Sequence, residues 1–230
     1  MAEVENSKDL ISVLWSGADI LRSKMDANEY KDYLLGIVFY KYLSDSFLIK
    51  VYDLLYDEKP GSLKEALDAY KEALEDESAE ELKEQLTDEC HYVMDPELTY
   101  TYFADAARNN SFNREQLQKG FNNIEQSDPI FADLFTDIDL YSNRLGTGDQ
   151  KQSDTIASLI KEIDKADLLN SDAEILGNAY EYLIGQFASE TGKKAGEFYT
   201  PQAVSKILTK IAISGQQDKK GLSVYEEAVA

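Results

Sequence analysis

The fold is decided by residues 28–55, NEYKDYLLGIVFYKYLSDSFLIKVYDLL, in a chain of 230 residues. Apolar side chains recur in this stretch at helical spacing, but they occupy more than one side of the helix. A helix that is apolar on several sides is covered by several neighbours. We therefore predict that this stretch is the central helix of a bundle, with Asn28 as its N-cap. Its predicted buried residues are Tyr30, Tyr33, Leu34, Ile37, Val38, Leu43, Phe47, Leu48, Val51 and Leu55.

Helices are also predicted on both sides of this central stretch. The preceding segment has four apolar residues on one helical face, Leu10, Leu14, Ala18 and Leu21. After the central stretch come two Ser-x-x-Glu capping boxes, Ser62 with Glu65 and Ser78 with Glu81. A capping box satisfies the free N–H groups at a helix start, so each of these predicts a helix. Both helices are rich in Glu and Lys, which predicts an exposed helical pair.

The second half of the chain is predicted to be less regular. Residues 91–153 are rich in turn-forming residues, which predicts short helices and loops. Helical periodicity returns at Ser153 and continues with Ile156, Leu159, Ile160 and Ile163. A third capping box, Ser171 with Glu174, then begins another apolar helix. The stretch FASETGKKAG breaks the pattern, so we place a domain boundary there, with a helical domain over residues 1–188.

Charge restricts the partners that this chain can bind alone. The formal net charge is −21, with 44 acidic residues against 23 basic ones. Residues 57–89 hold thirteen acids and four lysines, whereas residues 191–220 hold six lysines and two acids. A surface this acidic repels phosphate backbones, so we expect no DNA or RNA binding by the isolated chain. The acidic run is either a solvated helix face or a surface that mimics nucleic acid or docks on a basic partner.

Other function classes lack the residues that they need. No apolar run is long enough to span a bilayer, and the N-terminal MAEVENSKDL does not resemble a signal peptide, so we expect a cytoplasmic protein with no membrane partner. Cys90 is the only cysteine and His91 the only histidine. A single cysteine cannot form a disulfide within the chain. One cysteine and one histidine are too few ligands for a Cys/His zinc site, so no metal site is expected. A structural role for the adjacent Cys90 and His91 is favoured over a reactive one.

The stretch GEFYTPQAVSKIL, residues 196–208, carries the candidate binding chemistry. Thr200 is a favoured N-cap and Pro201 a favoured first helical residue. The predicted buried face of the helix that follows is Val204, Ile207, Leu208 and Ile211. Free N–H groups and a partial positive charge at such a helix start can bind a small carboxylate or phosphate. The same residues could do no more than start a helix, and the chemistry alone favours that interpretation.

Side chains just before this helix could complete a ligand pocket. Phe198 and Tyr199 could form an apolar wall, and Glu197 could bind a cation or hydroxyl groups. From the chemistry alone, the ligand is any small anion.

Three blocks of the sequence resemble one family in the order in which that family has them. GEFYTP, preceded by ILGNAYEYLIGQFA, resembles the start of the methyltransferase domain in the modification subunit of type I restriction-modification systems. LWSGADILRSKMDANEYKDYLLGIVFYKYLSD resembles the helical N-terminal domain of that subunit, and YSNRLG resembles its linking segment. The resemblance implies a mostly α fold, in which residues 189–230 are a linker and the first helix of an incomplete α/β, Rossmann-like methyltransferase domain.

The resemblance also implies a cofactor, S-adenosylmethionine. Six residues would line its pocket in the complete enzyme, Glu197, Phe198, Tyr199, Thr200, Pro201 and Gln202. The family continues, after a strand such as LSVY, with a D-P-x-x-G-S-G loop and later an N-P-P-F/Y motif that binds the flipped adenine. Here Tyr225 is followed by EEAVA, and neither motif is present. We therefore assign no catalytic residue and expect this chain alone to be inactive and not to bind the cofactor tightly.

The partners implied by the resemblance are those of an assembly that methylates adenine N6 in specific DNA sites. They are a DNA specificity subunit, a second modification subunit and a restriction (nuclease) subunit, with DNA bound only within the assembly. The alternative is a non-catalytic helical interaction protein that binds restriction-modification subunits.

Overall fold

The computed structural model describes residues 2–166, Gly177 and residues 202–215. The helices are α1 Ala2–Arg22, α2 Ala27–Tyr56, α3 Leu63–Ala73, α4 Ala79–Cys90, α5 Tyr100–Arg108, α6 Arg114–Ser127, α7 Asp149–Ile163 and α8 Gln202–Ala212. Two short 3₁₀ turns, Pro96–Leu98 and Pro129–Phe131, precede α5 and follow α6. The described residues contain no strand, and the prediction of a mostly α fold is confirmed.

Helix α2 is the central helix of the bundle, as predicted. It contacts α1, α3, α4 and α5, so its neighbours cover it on several sides. Every predicted core residue of α2 is buried except Leu55, which is partly buried against the same core. This arrangement explains why the sequence of α2 lacks a single apolar stripe, because each side of the helix faces a different neighbour.

The start of α2 differs from the prediction that Asn28 is its cap. The helix begins at Ala27, with Asp26 as the N-cap residue in an extended conformation. Asp26 and Glu29 form a reciprocal capping box, in which the Asp26 N–H donates to Glu29 Oε2 at 3.3 Å. Because the box satisfies the first free N–H groups from Asp26 onward, Asn28 lies inside the first turn.

Of the two capping boxes predicted after α2, the serine side chain caps the helix in one, at Ser62, but not in the other, at Ser78. Ser62 Oγ accepts the N–H of Glu65 at 3.1 Å and begins α3. Helix α4 also begins after the predicted residue, Ser78, but the predicted box is wrong. The Ser78 hydroxyl donates instead to Asp76 Oδ1 at 2.9 Å. The hydroxyl therefore stabilises the turn before α4 and does not cap the helix. The box predicted at Ser171 lies outside the described residues.

Helix α7 closes the bundle against α1 and α5. It begins at Asp149, four residues before the predicted start at Ser153. Its predicted apolar residues are all buried, namely Ile156, Leu159, Ile160 and Ile163. On α1, Leu14, Ala18 and Leu21 are buried as predicted, while the side chain of Leu10 lies outside the described residues. In residues 2–166 and 202–215, no helix is both long and apolar enough to cross a bilayer.

Replacing Gly120 by alanine is expected to destabilise the helical domain by about 1–3 kcal/mol, through overpacking. A β-carbon at Gly120 of α6 would lie 2.1 Å from Tyr40 Oη and 2.9 Å from Tyr40 Cζ. Tyr40 is fully buried and donates its hydroxyl to the Leu98 carbonyl at 2.5 Å, so its ring has little room to move. The measurement is the urea midpoint of the whole chain.

The matched control for Gly120 is Gly177→Ala, because a β-carbon at Gly177 meets no atom within 4 Å. Replacing a helical glycine by alanine, where no steric conflict results, raises the free energy of unfolding by up to about 1 kcal/mol. Equal gains in stability at Gly120 and Gly177 would show that Tyr40 moves aside without penalty.

Candidate functional site

The structure describes one of the six candidate cofactor residues. Gln202 is the first described residue of α8. Residues 197–201 lie outside the described residues, and so does the side chain of Gln202. The proposed pocket lining remains a prediction. The start of α8 could contribute to this pocket, because the backbone N–H groups in the first turn of a helix have no acceptors within the helix.

The predicted buried face of α8 is exposed, so that prediction is wrong. Its four apolar residues are between 45% and 66% exposed, namely Val204, Ile207, Leu208 and Ile211. All four fall on one side of the helix, as helical spacing requires. The periodicity correctly identified an amphipathic helix, but it reports only that a face is suited to burial. It cannot report whether another part of the protein covers that face.

The acidic run forms the outer surface of α3 and α4 and the turns beside them. All thirteen acidic residues between Asp57 and Glu89 are exposed, while the buried face of this pair consists of Ala66, Leu67, Tyr70, Leu82 and Leu86. The predicted solvated helix face is therefore what the structure has. Whether this surface also docks on a basic partner stays a prediction.

An acidic cavity lies where the start of α2 meets the irregular segment after α6. It has a volume of about 220 Å³, and its polar lining comes from Glu29, Asp32, Tyr33, Asp137, Asp139, Ser142 and Arg144. Arg144 pairs with Glu29 across its rim. Burial raises the pKa of Asp32, an effect that nearby Lys31 opposes and that Asp137 reinforces. Sequence reasoning did not identify this site, because its acids are far apart along the chain.

A second cleft, of about 260 Å³, separates the end of α5 from the outer side of α7. Phe112 and Lys161 are its largest side chains, and small or polar residues complete the lining, namely Ala107, Asn110, Gln150, Ser153, Asp154, Ala157 and Ser158. In residues 2–166 and 202–215, no three His, Cys, Asp or Glu side chains converge in a way that could hold a metal ion.

Cys90 and His91 lie at the end of α4. His91 adopts a left-handed conformation, with φ of 67°, and its N–H donates to the Thr87 carbonyl, which ends the helix. Burial raises the pKa of the Cys90 thiol and so favours its unreactive protonated form. The geometry agrees with the structural role favoured for both residues.

Arg114 is a buried charged residue that sequence reasoning did not single out. Its guanidinium pairs with Asp149 at 2.5 Å, hydrogen-bonds Gln152 and lies 4.4 Å from the centre of the Tyr141 ring. Gln152 in turn donates to the carbonyls of Tyr141 and Ser142. These contacts join the start of α6 to the start of α7 and hold the loop between them, so their geometry indicates a structural role.

Comparisons with known proteins agree with this architecture and with the order of its segments. Residues 10–163 match the family model of the HsdM N-terminal domain, and residues 171–230 match that of the N-6 DNA methylases. The first match covers the helices α1 to α7 almost entirely, and the second contains α8.

Individual relatives are methylase subunits of type I restriction enzymes. The chain is 28% identical over 220 residues to the MpnII methylase subunit of Mycoplasma pneumoniae and 30% identical over 206 residues to the MjaVIII methylase subunit of Methanocaldococcus jannaschii. These alignments cover 89% and 88% of this chain but only 39% and 31% of the relatives. The chain thus spans well under half the length of these relatives.

A solved structure has the same fold. It is the methyltransferase subunit of a type I restriction-modification system from Streptococcus thermophilus, with a TM-score of 0.87 and 51% sequence identity. The match covers 94% of this chain and 46% of that one. Fold and family matches together define a helical domain followed by a segment that matches the N-6 DNA methylase family. The chain belongs to the family of type I restriction-modification methyltransferase subunits, of which it carries the HsdM N-terminal domain.

Proposed function

We propose that this chain is the N-terminal part of a modification subunit that transfers a methyl group from S-adenosylmethionine to N6 of adenine in specific DNA sites. Residues 1–188 are its helical domain, and residues 189–230 are the linker and the beginning of its methyltransferase domain. The observation that carries the proposal is the succession of the two family matches along one chain, at residues 10–163 and 171–230. Because its substrate is cellular DNA, the proposal includes a cytoplasmic location.

The start of α8 fits one part of the proposed cofactor. S-adenosylmethionine carries a carboxylate, and the first N–H groups of an 11-residue helix present donors and a partial positive charge to such a group. In the proposal, Thr200 and Gln202 bind at this helix start, Phe198 and Tyr199 form the apolar wall, Glu197 binds hydroxyl groups, and Pro201 fixes the first turn. When bound, the cofactor supplies the methyl group that is transferred.

The acidic surface supports a division of labour between subunits. A domain with thirteen exposed acids between Asp57 and Glu89 repels the DNA backbone, so this surface is not expected to recognise the DNA sequence. We propose that a DNA specificity subunit supplies this recognition, and that a second modification subunit and a restriction subunit complete the assembly. The relatives are methylase subunits of type I restriction enzymes, and this supports the proposal.

The test uses the chain extended through its glycine loop and its N-P-P-F/Y motif. This complete subunit, mixed with the specificity subunit, tritiated S-adenosylmethionine and duplex DNA, is expected to transfer label to adenine N6. The 230-residue chain is expected to transfer none and to bind the same duplex weakly at physiological salt. A complete subunit that binds partner subunits but neither binds the cofactor nor transfers label would instead be a non-catalytic interaction protein.

Replacing Thr200 by valine in the complete subunit is expected to weaken S-adenosylmethionine binding roughly tenfold or more. The variant keeps the β-branched shape but removes a hydroxyl, and a lost hydrogen bond to a charged group costs about 1.5–3 kcal/mol. Calorimetry gives the cofactor affinity, and the urea midpoint of the same variant gives its stability.

The same two measurements decide whether Thr200 is only a helix cap. Loss of a cap alone costs about 0.5–2 kcal/mol of stability and leaves affinity unchanged. That result would remove Thr200 from the proposed pocket while leaving the other residues in place.

A further inference from the structure

A charged pair lies in the centre of the helical core. Lys41 and Asp45 are one turn apart on α2, and their side chains are 3% and 1% exposed. Lys41 Nζ lies 2.5 Å from Asp45 Oδ2. Removing two charges from water is expensive, and apolar side chains of similar volume often give equal or greater stability. Stability therefore does not explain why this chain places an ion pair there.

The pair contacts the first residue of α5, Tyr100. Lys41 Nζ lies 5.1 Å from the centre of the Tyr100 ring, within the range of a cation–π interaction. One turn further along α2, Ser44 Oγ accepts the Tyr100 backbone N–H at 2.7 Å. The Tyr100 hydroxyl donates to the Ile160 carbonyl of α7 at 2.9 Å. Tyr100 thus joins α2, α5 and α7 through three different polar interactions.

Apart from its aromatic residues, the buried side chains of α5 do little to fix the position of this helix along α2 and α7. Apart from Tyr100 and Phe103, its buried apolar residues are alanines, Ala104, Ala106 and Ala107. Alanine side chains are too small to interlock with a neighbouring helix, so a helix with an alanine face could pack in more than one register. Helix α5 is also only nine residues long. Phe103, which packs against the rings of Tyr40 and Phe112, and Tyr100 are therefore the two buried side chains of α5 large enough to fix its position.

We infer that the buried Lys41–Asp45 pair fixes the register and orientation of α5 between α2 and α7, rather than adding to stability. A shift of α5 by one turn, about 5.4 Å, would remove the Tyr100 ring from Lys41 and the Tyr100 N–H from Ser44. The ammonium and the hydroxyl cannot recover these interactions from water at a buried site. A shifted register is thus penalised, while the observed one keeps the contacts of Tyr100 with Lys41 and Ser44.

The test compares the parent chain with the double variant Lys41→Met/Asp45→Val, whose apolar side chains differ in volume from the lysine and aspartate by about one methylene group or less. The double variant is expected to have a urea midpoint equal to or above that of the parent. Its α5 amides, however, are expected to give more than one set of NMR signals, and the Tyr100 amide is expected to lose at least tenfold of its hydrogen-exchange protection. The two single variants are expected to lower the midpoint, because each leaves one charge buried alone.

Two further variants make the result decisive. Tyr100→Leu removes the ring while the charges stay, and it is expected to reproduce the multiple α5 signals. Glu80→Gln/Lys83→Met removes an exposed pair of similar spacing on α4, and it is expected to leave the α5 signals single. The inference is overturned if the double variant keeps a single set of signals with full Tyr100 protection. It is equally overturned if that variant is destabilised as much as the single variants or does not fold, since the pair is then a stabilising element.

Discussion

Replacing Ile37 by aspartate is expected to destabilise the helical domain by several kcal/mol, enough to unfold a domain of ordinary stability. Ile37 is 1% exposed on α2, the helix that contacts four others. The substitution removes a packed side chain and leaves a carboxylate in an apolar environment, where it must either lose its hydration or take up a proton. The measurement is the thermal or urea midpoint followed by helical circular dichroism.

Two controls separate the position from the type of substitution. Ile37→Val removes one methylene from the same position and is expected to lower the free energy of unfolding by only about 0.5–1.5 kcal/mol. Ile130→Asp makes the same change at a side chain that is 75% exposed, and its effect is expected to lie within about 0.5 kcal/mol. Similar midpoints for Ile37→Asp and Ile130→Asp would show that Ile37 is not part of the buried core.

High pH is expected to unfold the chain cooperatively, because four buried tyrosines resist ionisation. Burial raises the pKa of each above the ordinary value, for Tyr40, Tyr70, Tyr92 and Tyr100. Each hydroxyl donates to a backbone carbonyl elsewhere in the bundle, those of Leu98, Met94, Leu43 and Ile160, respectively. Ionisation removes the donated proton, so the folded state disfavours the phenolate.

The sign of the pH effect follows from proton counting. Above about pH 10 the unfolded chain releases phenolic protons that the folded chain retains, so the free energy of unfolding falls by up to about 1.4 kcal/mol per pH unit for each buried tyrosine. Four such residues together give up to about 5 kcal/mol per pH unit, against a total stability of about 5–15 kcal/mol. Below pH 10 the contribution is fully present. We expect unfolding to be complete near pH 12.

Tyrosinate absorbance at 295 nm, recorded together with circular dichroism at 222 nm, checks this expectation. Of the fifteen tyrosines, the four buried ones named above are expected to titrate in one step that coincides with loss of helix. Tyr56, which is 51% exposed, serves as the control: Tyr56→Phe removes an exposed phenol and is expected to leave the step in place. A smooth titration of all phenols with the helix content unchanged would contradict the expectation.

The predictions that succeeded rest on long periodic segments. The breadth of the apolar surface on α2 identified a central helix, and the spacing of Ile156, Leu159, Ile160 and Ile163 identified the buried face of α7. Such patterns report burial directly, because core-facing positions are selected for apolar side chains over several turns. Helix ends were less predictable, since Asp26 and Ser78 depend on which of several local hydrogen bonds forms.

The features that sequence reasoning missed come from residues far apart in the chain. Arg114 pairs with Asp149 across 35 residues, and the acidic cavity joins Glu29 and Asp32 to Asp137 and Asp139. Local sequence patterns do not predict contacts between such distant residues, because these contacts depend on how the helices pack. The exposed face of α8 shows the converse limit: its spacing correctly indicated an amphipathic helix, but the surface that would cover it is a tertiary property.

The pairing of α1 with α7 has a consequence for the order of events during synthesis. A β-carbon at Gly17 would lie 3.2 Å from Leu159 and 3.7 Å from Ile163, so the first helix packs closely on one that is made about 140 residues later. At about 5–20 residues per second, α1 waits roughly 7 to 30 seconds on the ribosome before its partner emerges. Until then, among the described helices, α2 is the main neighbour of its apolar face. The packing of α1 is thus timed by the synthesis of α7.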